Sequence, residues 1–175
     1  PRYPAMDITV GFRGIQWGTN LHNISGLTKE TSYSFESIYD ESFIREYEWQ
    51  FLGELLLTDL RYGQFNGQFY CVHMDFEASS YDIRKTFRSL FGYEWEHKND
   101  NVNFCEWNIG TCSRYNKYSN GYYEGALISI THFYDNSVCI YYNPGFDAER
   151  AYSDNLESSK SEIQRRKATA DFYGK

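Results

Sequence analysis

This sequence predicts an α+β fold, an antiparallel sheet or sheets with helices packed on one face, and three stretches carry that expectation. Leu55 to Glu77, LLLTDLRYGQFNGQFYCVHMDFE, alternates apolar and polar residues about Asn66-Gly67 and reads as a β-hairpin. Tyr122 to Tyr134 with Ser137 to Asn143 repeats the pattern as a closing hairpin. Between them, Ser79 with Asp82 makes a capping box, Ile83, Phe87, Leu90 and Phe91 recur at helical spacing, and Gly92 supplies a stop.

Register follows from keeping like with like. In the first hairpin a two-residue turn sets Leu60 against His73 and Asp59 against Met74, mixing both faces. A three-residue loop over Phe65 to Gly67, with Gly67 left-handed in a bulge, sorts them: Leu56, Thr58, Leu60 and Tyr62 then face Phe76, Met74, Val72 and Tyr70 as core. Asp59 and Arg61 face His73 and Cys71 on the other side. In the closing hairpin, a loop over Asp135 to Ser137 sets Ile128, Ile130, His132 and Tyr134 against Pro144, Tyr142, Ile140 and Val138.

The remaining elements are shorter. Asp7 to Gln16 reads as an opening strand, and Thr19 or Asn20 caps a short helix carrying Leu21, Ile24 and Leu27, with Gly26 near its end. Ser32 to Tyr39 and Phe43 to Leu52 read as strands joined by the acidic turn Asp40 to Ser42, and Val102 to Trp107 and Cys112 to Tyr118 as two more. Phe146 to Lys175 is polar and helix-permissive, with Tyr152, Leu156 and Ile163 as a thin stripe, and is expected to dock loosely and fray towards Arg165. The organisation expected is a leader remnant or tag scar over 1–6, one domain over 7–146 with halves near 7–78 and 79–146, and a C-terminal helix or tail over 147–175.

Composition narrows the function classes. A net charge of -7, from Lys+Arg 17 against Asp+Glu 24, argues against a nucleic acid held through its phosphates. No apolar run approaches the ~18 residues of a membrane span. Tyrosine occurs 17 times, which suits half-buried sheet surfaces or a contact face, because the ring buries while the hydroxyl stays wet. The four cysteines, Cys71, Cys105, Cys112 and Cys139, form no C-x-x-C pair, so zinc-site and thioredoxin signatures are absent; they allow two disulfides in an oxidising compartment, or four free thiols.

Phe12 to Leu21, FRGIQWGTNL, resembles the opening of a loose group of small, largely uncharacterised bacterial exported proteins and lipoproteins whose mature chains begin F-x-G-I-x-W-G-T-S. Asn20 stands where that group has serine. The resemblance continues more weakly through Tyr62 to Phe69 and Tyr81 to Gly92, and it implies export and an α+β domain but no catalytic residues. By its chemistry alone Trp17 reads as a core plug and Gly18 as a turn residue. The order of elements, a helix then about four strands, twice, also resembles the β-lactamase inhibitor proteins and the short outer-membrane lipoproteins of the barrel-assembly machinery, a likeness of architecture that carries no function.

Two places could hold chemistry. Cys71, His73, Asp75 and Glu77 alternate along one strand with Asp59 across from His73, a pattern that suits metal ligation by His73, Asp75 and Glu77 or acid-base work by His73, Asp75 and Asp59. The plainer reading is a solvated face with weak pairing. His132 reads as a core histidine bonded to a carbonyl, and Glu94, Glu96 and His97 as loop decoration. Tyr115, Tyr118, Tyr122 and Tyr123, interleaved with Asn, Ser and Gly, resemble a recognition loop for protein or for sugar rings.

The expectation is therefore an exported, periplasmic or extracellular bacterial module that binds another protein, or a glycan, without catalysis and without a cofactor. The alternatives are a metal-dependent or acid-base hydrolase on the His73 face, and an acidic inhibitor or immunity protein with a basic partner.

Overall fold

A computed structural model describes residues 3–31, 40–98, 103–116 and 118–173. The strands are β1 (Gly11–Phe12), β2 (Ile15–Gln16), β3 (Leu27–Glu30), β4 (Glu41–Arg45), β5 (Phe51–Leu52), β6 (Leu55–Phe65), β7 (Gln68–Phe76), β8 (Trp95–Lys98), β9 (Asn103–Asn116), β10 (Gly121–His132) and β11 (Ser137–Tyr142). The helices are α1 (Ser80–Phe91) and α2 (Asn143–Tyr173), with a 3-10 turn at Leu21–Asn23.

The fold is α+β. Nine strands form one antiparallel sheet in the order β3-β4-β6-β7-β11-β10-β9-β8, with β5 beside β6, and β1 and β2 make a separate small hairpin. Each run of four strands is a meander, and the two meanders meet where β7 pairs with β11.

One sheet face is the core. Leu57, Leu60 and Tyr62 of β6, Phe69, Val72, Met74 and Phe76 of β7, Val138 and Ile140 of β11, Ile128 and Ile130 of β10 and Trp107 of β9 are all buried. Onto this face α1 lays Ile83 and Phe87, the latter 6.3 Å from Phe76 and 5.4 Å from Trp107 between ring centroids. The Ser79 hydroxyl accepts from the Asp82 N–H at 3.1 Å and so caps α1 as its sequence predicts. Ser79→Ala is expected to cost about 1 kcal/mol, read as a shift in urea midpoint at constant slope. Leu90, expected on the packed face of this helix, is instead exposed.

Trp17 is buried in the core as predicted, stacking on Phe69 at 4.5 Å and donating its indole N–H to Ile8 O at 2.8 Å. The nearby 3-10 turn is tied to the sheet by Gln64, whose amide oxygen accepts from Leu21 N at 2.7 Å. Asn20 caps this turn, but the helix is far shorter than expected: Leu27 already belongs to β3.

Both hairpin registers differ from the expectation. Asn66 and Gly67 both have positive φ, 49° and 72°, so the turn has two residues and Phe65 pairs with Gln68. Two bulges restore the sorting that a three-residue loop was expected to provide. Tyr70 is extra between the Gln64-Phe69 and Gly63-Cys71 pairs, and Thr58 is extra between Leu57-Phe76 and Asp59-Asp75. Leu57 thus takes the core place expected for Leu56, and Asp59 stands opposite Asp75 while Arg61 stands opposite His73. In the closing hairpin Tyr134 has φ 56° and leaves the ladder, so Ile128 pairs with Tyr142 and His132 with Val138. The faces are kept, and the register moves by two residues from the one expected.

Elsewhere, Phe43 to Leu52 is two strands, broken where Tyr47 has φ 57°, and Glu41 and Ser42 lie within β4 instead of a turn. Where two strands were expected over Val102 to Trp107 and Cys112 to Tyr118, the described residues form one strand, β9, because Gly110 takes φ 64° without disturbing the flanking pairs Ile109-Ile128 and Thr111-Ala126, and Tyr118 lies in the turn beyond it. The opening stretch to Gln16 folds as the β1-β2 hairpin. The strand expected over Ser32 to Tyr39 lies outside the described residues.

Helix α2 starts at Asn143, so Pro144 occupies its first turn, where the lost N–H costs nothing, instead of pairing with Ile128. Asn143 donates to Ala126 O at 2.8 Å and Ser129 Oγ at 2.9 Å, and Phe146 packs on Tyr141 at 5.1 Å. Gly145 lies so close to Tyr70 that a Cβ there would stand 2.4 Å from the Tyr70 Cβ. Docking ends early. From residue 157 to 169 every position except Glu162 is exposed, and Glu162 pairs with Arg165 and Arg166 along the helix.

Candidate functional site

The β9-β10 hairpin is the longest arm of the sheet, and its tip bends back through an asparagine turn. Asn116 Oδ1 accepts from Tyr118 N at 2.9 Å, and Asn120 takes φ 49° before Gly121 resumes the ladder. Around this turn Tyr115 and Tyr123 are 46% exposed, Tyr122 78% and Tyr118 91%. Tyr115 and Tyr122 form a cross-strand edge-to-face pair at 5.3 Å.

Between this tip and the first turns of α2 runs a groove of about 630 Å³. Tyr115, Tyr118 and Tyr123 wall one side, and Phe146, Arg150 and Asp154 the other. Its floor is set by a forked ion pair in which Arg114 donates to Asp147 through Nε at 3.0 Å and Nη2 at 2.7 Å. Three of the four tyrosines singled out by sequence thus meet in one place. Tyr122 lies outside the groove, beside Cys112 and Glu124.

The α2 wall went unseen in the sequence. Asp147, Arg150, Ala151, Asp154 and Asn155 fall at helical spacing on one face, a signal that was present but carried no apolar stripe to draw attention.

On the sheet face away from the core, the residues expected to bind metal or move protons are largely committed to one another. Asp75 accepts the Ser137 hydroxyl at 2.6 Å and stands 3.1 Å from His73 Nε2. Arg61 bridges Glu30 at 3.0 Å and Asp59 at 3.2 Å. Burial pushes the Asp59 carboxyl above its ordinary pKa against the pull of Arg61. Asp59 is therefore not placed to orient His73, and Glu77 lies beyond the end of β7. Among the described residues no group of three His, Cys, Asp or Glu side chains converges to hold a metal ion.

The four cysteines are thiols in this structure, Cys71 and Cys105 buried and Cys112 and Cys139 partly so. Burial raises the Cys105 thiol to about 11 and also raises Cys112, the opposite of nucleophile activation. His132 is fully buried between the Cys105 sulfur, 3.8 Å from Nδ1, and Asp135 O, 2.9 Å from Nε2, the carbonyl-bonded core histidine its strand position predicts. Desolvation lowers its pKa, keeping it neutral.

Among known proteins, no family model, curated sequence or solved structure matches the chain.

Glu94 and Glu96 are not loop decoration. Glu94 is clamped between Arg84 and Arg88 of α1, with its side chain 1% exposed, and Glu96 sits in β8 with its carboxylate 2.5 Å from Arg84. The clamp holds the edge of the sheet against α1, at the opposite end of β9 from the tyrosine groove.

Proposed function

We propose that this chain is a binding module that engages another protein through the β9-β10 tip and its groove with α2. The observation that carries the reading is the position of Tyr118, almost fully exposed at the mouth of a groove otherwise walled by rings and charged side chains. A large exposed ring on a hydrogen-bonded turn offers contact area with little ordering to lose on binding. The hydrolase alternative draws less support, because Asp75 and Asp59 are already occupied by Ser137 and Arg61. Export from a bacterial cell to the periplasm or beyond belongs to the same proposal, supported by the resemblance of Phe12 to Leu21 to exported proteins.

The test is capture from a bacterial envelope extract, with the purified chain and a Tyr118→Ala/Tyr122→Ala double variant as paired baits. The expected result is a stoichiometric protein partner held by the parent chain and weakened at least roughly tenfold by the double variant. A partner held equally by both baits removes the tip from the interface. An empty capture turns the reading to glycan, for which exposed tyrosine rings flanked by Asn116 and Asn155 are suited, and a glycan array then decides.

A further inference from the structure

The charges lining the groove are not equivalent. Arg114 is closed on Asp147 through both arms of its fork, and Asp154 is engaged by a contact of its own. Arg150 differs: its guanidinium carbon stands 4.9 Å from the Phe146 ring centroid, it is exposed, and among the described residues it makes no hydrogen bond or ion pair. Stacking on a ring leaves the planar N–H donors of a guanidinium unspent. Those donors match a carboxylate, which they can take through two parallel hydrogen bonds.

We infer that the groove reads a peptide segment that carries a carboxylate next to an aromatic or aliphatic side chain, with Arg150 binding the carboxylate and the Tyr118 and Tyr123 rings covering the apolar neighbour. This rests on the binding reading above and specifies the partner's chemistry. A groove of about 630 Å³ is of the size that holds a drug-sized ligand, about two to four peptide residues. The overall charge of -7 does not oppose the match at contact range, because screening at physiological salt cuts off fields beyond about 8 Å. A basic segment would instead find Asp147 taken by Arg114 and Asp154 engaged.

The experiment titrates the full chain with three capped peptides, acetyl-Gly-Trp-X-Gly-amide with Glu, Gln or Lys at X, followed by NMR of backbone amides and arginine side chains. The Glu peptide is expected to bind roughly tenfold tighter than the other two, shifting Tyr118, Tyr123 and Arg150. Arg150→Gln removes that preference, and Arg150→Lys, which keeps the charge without the fork, retains a reduced one. Arg150 is exposed, so neither variant threatens the fold. Equal binding of the Glu and Gln peptides overturns the inference while leaving a peptide-binding groove, and tighter binding of the Lys peptide overturns it in favour of a basic partner. A preference unchanged in Arg150→Gln also overturns it. If no peptide binds, the inference falls, and the paired capture decides the binding reading separately.

Discussion

Trp17→Ala is expected to destabilise the chain by about 3–5 kcal/mol, a large part of the 5–15 kcal/mol that holds an ordinary domain together. Trp17 is 7% exposed, stacks on Phe69 at 4.5 Å and lies parallel to Tyr142 at 6.0 Å. It therefore joins three pieces of chain: the opening segment, the first hairpin and the last strand. Removing the ring leaves a void whose walls belong to all three, and a void of that kind collapses poorly. Trp17→Phe keeps a ring in the slot but loses the bond to Ile8 O, so a smaller loss of about 1–2 kcal/mol is expected. Urea unfolding followed by circular dichroism measures both. A loss under about 1 kcal/mol for Trp17→Ala would mean that the opening segment packs without contributing to the cooperative unit.

The second large effect is acid sensitivity centred on Glu94. Arg88 donates to its carboxylate from Nε at 2.7 Å and Arg84 from Nη2 at 2.6 Å, and these bonds, those of Arg88 foremost, hold the Glu94 pKa at about 2, below its ordinary 4.5. A carboxyl whose pKa is depressed by folding binds fewer protons folded than unfolded. Its contribution is complete above about 4.5 and is lost as the pH falls through about 2. Glu94→Gln is expected to cost about 2–3 kcal/mol at neutral pH and to flatten the stability profile between those two values. The cost stays below that of a fully buried pair because the Arg88 side chain is 42% exposed and recovers water when released. Thermal melts of both proteins from pH 7 to about pH 2 test this, and parallel profiles would assign the acid sensitivity to other carboxylates.

What the sequence disclosed was decided by distance along the chain. Val72, Met74 and Phe76 alternate within one strand, and Ser79 caps its own helix, so local pattern was enough to place them. The bulges at Tyr70 and Thr58 depend on how two strands meet, and alternation on either strand alone does not locate them. Pro144 suits a strand end and a first helical turn equally well, which hid the start of α2. Glu94 gained its meaning from two arginines on the preceding helix, and the groove from Arg114 meeting Asp147 across 33 positions of sequence. The tyrosines were visible as a cluster because composition alone marks them, while the helical wall facing them needed the fold.

The seam between the two meanders has a consequence for how the chain is made. Asp75 pairs with Ser137, and Cys71 with Tyr141, so β7 waits for a strand that emerges more than 60 residues after it. Until β11 arrives, the first meander ends in an open strand carrying Val72, Met74 and Phe76, an edge that other chains can add to. Non-local closure of this kind slows folding and prolongs that exposure. The last strand to be synthesised in the sheet is therefore also its internal guard: by taking the inner position beside β7 it converts a sticky margin into the middle of the molecule, leaving short strands, β3 and β8, at the rims.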